Sequence, residues 1–345
     1  GAMSPSRFAR TMHTRYAAQW QVDTFRRLVC GLPDRDKPGR LIVCWDDHDF
    51  AWNNSLGQGP QEHPNAVPRQ VRDISRRLFE QFVRQLRTGA PSADYPSLPA
   101  DVLQPWAGDG VGESGQIGGG VFAYQLLDNR WARTERRIRR ETALGTQERQ
   151  GQMLEGHALE QLKTRLGQSQ GLLVVLGGTP MAHDHLLSEQ SWHSQAEGDY
   201  AEYRQVLEAA RRPVLYLAGD VHHNVWGGRL AHPDTGKASR VVQVLSSGAA
   251  LDRYKVVRFE PSYGVLELPD SPGAALAGEV VLRLWEQQDK GSWEPSLPVP
   301  RLRYGASDWT GDLEGAAAAI DDGPPDEQPL AALVCRPRFA AHRLD

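Results

Sequence analysis

The feature that most constrains this chain is a pair of short, wholly apolar runs. Leu172-Leu173-Val174-Val175-Leu176 and Pro213-Val214-Leu215-Tyr216-Leu217-Ala218 show no polar alternation, so each reads as a strand covered on both faces. Such strands need a cover. The spacing supplies helices: Met153, Leu154, His157, Leu159, Leu162 and Leu166 share one helical face across 150–166, and a further helix is predicted over 200–211. Strand and helix in alternation indicate α/β layers.

The pattern extends in both directions. Tyr16, Trp20, Phe25, Leu28 and Val29 recur at helical spacing and stop at Gly31-Leu32-Pro33, a glycine–proline stop signal. Arg40 to Trp45 then reads as another short buried strand. Val71, Ile74, Leu78, Phe79, Phe82 and Leu86 predict an amphipathic helix over 68–87, followed by a long Gly/Pro/Ser/Asp loop over 88–120 and a strand over 121–127. Beyond Asp220 the strands come close together, near 240–246, 255–259, 264–268 and 279–286, and this half is expected to be antiparallel. Residues 306–328 are small and acidic and read as a poorly ordered arm. We therefore expect one domain over 4–268 and a C-terminal strand and extension over 269–345.

Composition narrows the partners. Across 345 residues, 39 Lys and Arg face 43 Asp and Glu for a net charge of −4, which argues against a general nucleic-acid sleeve or a cationic membrane binder. No apolar run approaches the roughly 20 residues that cross a bilayer. Cys30, Cys44 and Cys335 lie far apart, with no paired spacing for a disulfide framework or a zinc knuckle. Gly1-Ala2-Met3 reads as a cloning scar with no signal sequence after it, which leaves secreted, periplasmic and cytoplasmic locations open.

Two apolar runs discharge directly into metal-grade ligands, at the strand ends where open α/β sheets build sites. The first is Trp45-Asp46-Asp47-His48-Asp49-Phe50-Ala51-Trp52-Asn53-Asn54, rich in carboxylates and amides with one imidazole. That mixture suits hard or borderline cations rather than a thiolate site. The second is Gly219-Asp220-Val221-His222-His223-Asn224, where Asp220 and His222 are placed to reach the same side. Helix capping is the competing explanation for each cluster alone.

These blocks, with Leu127-Asp128-Asn129-Arg130-Trp131-Ala132-Arg133 and Ser246-Ser247-Gly248, resemble in order the landmarks of the PhoD-like alkaline phosphatase D family, within the calcineurin-like metallophosphatases. The resemblance covers about residues 40–250. It implies an α/β sandwich of two mixed β-sheets flanked by helices, and hydrolysis of phosphate mono- or diesters at two divalent or trivalent ions, whether Fe, Ca, Mn or Zn. It makes Asp47, Asp220 and His222 metal ligands, with Asn54 as a further one, and His48 a transition-state contact or leaving-group acid. Arg130 would neutralise phosphate oxygens; its alternative is a salt bridge to Asp128 or another carboxylate. Asp46, Asn53, His183 and His223 are additional candidates, and His185 lies beside His183. An amide at 53 or 54 can equally cap a helix. The implied partner is a phosphate-ester small molecule or a nucleotide-like substrate, with Trp52, Trp106 and Trp131 as candidate pocket walls.

The family also carries a Gly-Asp-x-x-Tyr block with a bridging carboxylate, and nothing before Trp45 matches it. The expectation is that roughly the first third of such a protein is not in this chain, or that this relative has lost full metal binding. A non-catalytic binding domain on the same scaffold is thus the second function class. A serine hydrolase is a weaker third, because no Gly-x-Ser-x-Gly elbow occurs. Arg136, Arg137, Arg139 and Arg140, with Glu135 and Glu141 at either end, read as a solvated helix face, and His157 reads as core packing.

Overall fold

A computed structural model describes residues 3–59, 62–117, 122–134, 137–142, 145–154, 156–168, 171–181, 192, 197–209, 211–221, 224–231, 238–247, 253–254, 257–258, 262–269, 276–287, 292–297, 301–310 and 332–333. The architecture is α/β, with two six-stranded sheets, two two-stranded ones and helices among the described residues. In the first sheet, β2 (Phe122–Leu126), β5 (Leu173–Gly177), β6 (Val214–Ala218) and β8 (Ala238–Leu245) run parallel in that spatial order. Antiparallel strands close its edges, β1 (Glu113–Ile117) beside β2 and β7 (Val225–Ala231) beside β8. The second sheet holds β11 (Ser262–Glu267), β12 (Gly278–Gln287), β13 (Trp293–Leu297), β14 (Leu302–Tyr304), β15 (Trp309–Thr310) and β16 (Ala332–Leu333), paired antiparallel throughout.

Alternation along the parallel strands explains the layering. Leu173 and Val175 of β5, and Val214, Tyr216 and Ala218 of β6, point into a core shared with α5 (Gly156–Gln168) and α6 (Glu197–Ala209) through Leu162, Tyr200, Tyr203 and Leu207. Their neighbours Leu172, Val174, Leu176, Leu215 and Leu217 point the other way, onto Val280, Leu282, Leu284, Leu302, Tyr304 and Trp309 of the second sheet. Both faces of β5 and β6 are therefore dry, as their unbroken apolar sequences require.

A third core lies to one side. α1 (Pro5–Gln21) packs Phe8, Met12, Tyr16 and Trp20 against Val71, Ile74, Leu78, Phe79, Phe82 and Leu86 of α4 (Arg69–Thr88). A second helix, α2 (Asp23–Gly31), follows α1 after a break at Val22, so the expected single helix up to Gly31 is two. Trp45 and Trp131 join this core and stack on one another at 6.2 Å, carrying it to the sheet rim.

Several expectations are corrected. Residues 41–45 form no strand: Ile42 and Cys44 face the sheet core while Val43 and Trp45 face the helical core, but no ladder forms. The edge of β2 already belongs to β1, and the Leu41 carbonyl accepts instead from Arg87 Nε (3.3 Å) and Nη2 (3.0 Å). The 88–120 loop contains β1. The arginine-rich stretch is not a helix but an antiparallel hairpin, β3 (Arg137–Thr142) with β4 (Gly145–Gln150), whose register sets Arg139 opposite Glu148. Strand β8 extends the parallel sheet, although the short strands β9 (Arg253–Tyr254) and β10 (Val257–Arg258) do pair antiparallel. The start of the proposed acidic arm is built in through β15, where Trp309 is buried; 311–328 lie outside the described residues. The 268/269 boundary falls between β11 and β12, which pair along their lengths. Among the described residues, no helix is long and apolar enough to cross a membrane.

Candidate functional site

Because β2, β5, β6 and β8 are parallel, their carboxyl ends share one rim, and the chain leaves that rim at residues 127–130, 178–179, 219–220 and 246–247. The 42–46 segment crosses the same rim, with Cys44 Sγ donating to the Leu127 carbonyl at 3.6 Å. Two sequence clusters, distant along the chain, thereby meet.

Their meeting point is a guanidinium. Arg130, 1% exposed, donates to Asp46 Oδ1 through Nε (2.9 Å) and Nη2 (2.5 Å). The same Nη2 lies 3.7 Å from Asp47 Oδ2 and 3.8 Å from Asp220 Oδ1, both buried. Among the described residues, three carboxylates thus gather around one guanidinium. Arg130 Nη1 is also buried, with no hydrogen-bond partner among the described residues. The ion-pair alternative for Arg130 is realised, but with Asp46 rather than Asp128.

The first block is shaped by α3 (Asp47–Phe50), a single turn. Asp49 Oδ2 accepts from the Asp46 N–H at 3.2 Å, so capping chemistry is present, supplied by Asp46 and Asp49. It does not account for Asp47, which turns toward Arg130 and accepts from the N–H groups of His48 (Oδ1, 2.7 Å) and Asn54 (Oδ2, 2.9 Å). Burial opposes ionisation of Asp47, but Arg130, His48 and those two N–H donors outweigh it and hold the carboxyl below the usual range. Asp49 responds the opposite way: burial first, then the charge of Asp47, pushes it up to about 7. His48 and Asn53 are exposed, and Asn54 adopts φ +57°, a conformation asparagine tolerates better than most residues.

In the second block, Asp220 leaves β6 at φ +74°, a left-handed turn costly for a non-glycine residue and maintained here inside a buried rim. Asn224 is structural: Nδ2 donates to the Trp285 carbonyl at 3.0 Å and Oδ1 accepts from Ser246 Oγ at 2.9 Å, tying the rim to the second sheet. His222, His223, His183 and His185 lie outside the described residues. Among the described residues, no group of three His, Cys, Asp or Glu side chains is arranged to hold a metal ion. Of the tryptophans considered as pocket walls, Trp131 is buried and Trp106 lies beneath Arg76 and Arg77, whose guanidinium carbons are 4.6 and 5.4 Å from its ring centroid. His157 is exposed rather than packed, with Nε2 3.9 Å from Asp109 Oδ2.

No protein-family model matches this chain, and no curated protein matches it.

Two residues of the 127–133 block that were not among the candidate site residues hold the rim together. Asn129 Oδ1 accepts from the N–H groups of Gly178 (3.1 Å) and Thr179 (3.4 Å), linking the ends of β2 and β5. Gly178 itself sits against the first block: a side chain there would come within 3.0 Å of the Trp45 carbonyl oxygen. Asp128 is the other. The signal for both was available, since Asp128-Asn129 directly follows the strand-end apolar run Phe122–Leu127.

Proposed function

We propose that this protein is a metal-dependent phosphoesterase of the calcineurin-like type, acting on phosphate mono- or diesters. The observation that carries the reading is the convergence of Asp47 and Asp220, from two clusters remote in sequence, on Arg130 at the carboxyl rim of the parallel strands.

The donor chemistry fits a divalent or trivalent ion. Asp47 and Asp220 offer hard oxygen atoms, and Asp47 is held ionised. Asp47, Asp220, His222 and Asn54 would hold it. A bound ion supplies Lewis-acid polarisation of the phosphoryl group and acidifies a water. The chain's own residues do the rest. Arg130, fixed by Asp46 through Nε and Nη2, places its positive charge beside Asp47 and Asp220, where it would offset charge developing on a phosphoryl group. His48, exposed beside Asp47, delivers a proton to the departing oxygen. Burial of the carboxylate cluster keeps bulk water from screening these charges.

A second reading draws on one observation: the Arg130 guanidinium itself lies among the carboxylates and partly satisfies them. On that reading the domain binds phosphate groups without turning them over. Metal content by elemental analysis, combined with hydrolysis of an aryl phosphate monoester and diester, separates the two. The enzyme reading expects at least one ion per chain and turnover that chelation abolishes and metal restores. Less than one ion and no turnover would overturn it.

A further inference from the structure

Asp128 is buried, yet its two oxygens take up four N–H donors from three parts of the chain. Oδ1 accepts from Trp45 Nε1 (2.8 Å), the Arg130 N–H (2.9 Å) and the Trp131 N–H (3.0 Å), while Oδ2 accepts from the Val111 N–H (2.8 Å). The surroundings are built to this carboxylate. A side chain at Gly110 would collide with Oδ2, and one at Gly57 would collide with the Arg130 and Trp131 carbonyls. The Arg130 turn is therefore in close contact with Gly57 as well as held by Asp128. The same Asp128 oxygen grips the indole of Trp45, the residue next to Asp46. One carboxylate thus sets both ends of the Arg130–Asp46 ion pair.

We propose that Asp128 is a positioning residue of this site: by fixing Trp45 and the Arg130 turn together, it orients the guanidinium among Asp46, Asp47 and Asp220. In its bearing on catalysis this rests on the phosphoesterase reading. An amide cannot substitute, because four converging donors need the acceptor capacity of a carboxylate, and the NH2 group of asparagine would face an N–H. Asp128 touches no reacting group; its effect reaches substrate only through Arg130.

The test is Asp128→Asn in the full chain. Amide and side-chain 15N resonances are read together with kcat, KM and the inhibition constant of inorganic phosphate. The Trp45 indole and Arg130 Nε–H signals are assigned from Trp45→Phe and Arg130→Lys. The expected result is a shifted Trp45 indole signal, a shifted or broadened Arg130 Nε–H signal, and a fall in kcat/KM of about ten- to hundredfold, the usual range for a supporting residue one shell out. The phosphate inhibition constant should rise with KM. A residue that only stabilised the fold would lower the melting temperature and leave that constant unchanged well below it. An unmoved Arg130 signal in a variant whose Trp45 signal has moved overturns the proposal, as does an unchanged phosphate constant. If the wild-type chain has no turnover, the phosphoesterase reading fails separately, and the Arg130 signal alone decides the positioning role. If Asp128→Asn does not fold, Trp45→Phe removes one of the four donors; a shifted Arg130 Nε–H signal in that variant supports the proposal and an unmoved one overturns it.

Discussion

Two apolar runs of equal length, 41–45 and 172–176, each lead into a rim of the same candidate site, and they fold differently. The second contributes most of β5, hydrogen-bonded to β2 on one side and β6 on the other. The first keeps the alternation of an extended chain, with Ile42 and Cys44 to the sheet core and Val43 and Trp45 to the helical core, but joins no sheet. Its Leu41 carbonyl is satisfied by Arg87 and its far end by polar groups, Trp45 through Asp128 and Asp46 through Asp49. Apolar sequence dictates burial; whether a ladder forms depends on a free strand edge. The unladdered segment is the one that presents Asp46 and Asp47, so the site depends on side-chain anchors where β5 depends on backbone pairing.

The contrast can be broken at several points. The largest effect is expected at Leu173→Ala, which hollows a fully buried position between two ladders and should cost about 2–5 kcal/mol in chemical denaturation. A loss under 1 kcal/mol there would mean that β5 is not the stable member of the pair.

Next comes pH. Asp49 titrates near 7 in the folded chain, against about 3.9 for an unperturbed aspartate, so between those values the folded state binds the extra proton. Stability from this group should fall as pH rises from about 4 to about 7, by at most about 1.4 kcal/mol per pH unit, and level off above. The lowered Asp47 acts oppositely: its contribution is present above the ordinary carboxylate range and is lost at more acid pH. Unfolding curves in chelator-containing buffer should show the decline in the wild type and a flatter profile in Asp49→Asn; identical slopes would refute the assignment.

Arg87→Ala withdraws the anchor of the Leu41 carbonyl and should cost about 1 kcal/mol. Amide exchange should quicken at 42–45 while β5 stays protected. Smallest is the difference already present in the wild-type chain. The Val43 and Cys44 amides, outside any ladder, should exchange before those of Val174 and Val175. Equal protection would place 41–45 in a sheet after all.

The same physics explains what could be read from the sequence. Helix α4 and strands β2, β5 and β6 were legible because their residues repeat one environment: a single wet face on α4, two dry faces on β5 and β6. The β3–β4 hairpin was not, because its Arg- and Glu-rich sequence carries no apolar period that separates a helix from a strand. The parallel placement of β8 was hidden as well, since neighbouring segments that look like a meander do not reveal that β8 crosses to the edge of β6 and leaves β7 outside. In the site, Asp47 and Asp220 stood out by residue type directly after apolar runs, while Arg130 came only through the family resemblance. Asp128 did not, because what distinguishes it is four donors arriving from 45, 111, 130 and 131, an arrangement that exists only once the chain is folded.

The central claim is that Asp47 and Asp220 serve one site, and a double-mutant cycle on aryl phosphate hydrolysis by the metal-loaded chain tests it most directly. Asp47→Asn and Asp220→Asn should each reduce kcat/KM by about a hundredfold or more, and the double variant should be scarcely worse than either single one, as for residues acting as a unit. Losses that multiply, or turnover that survives either substitution, would contradict a shared site.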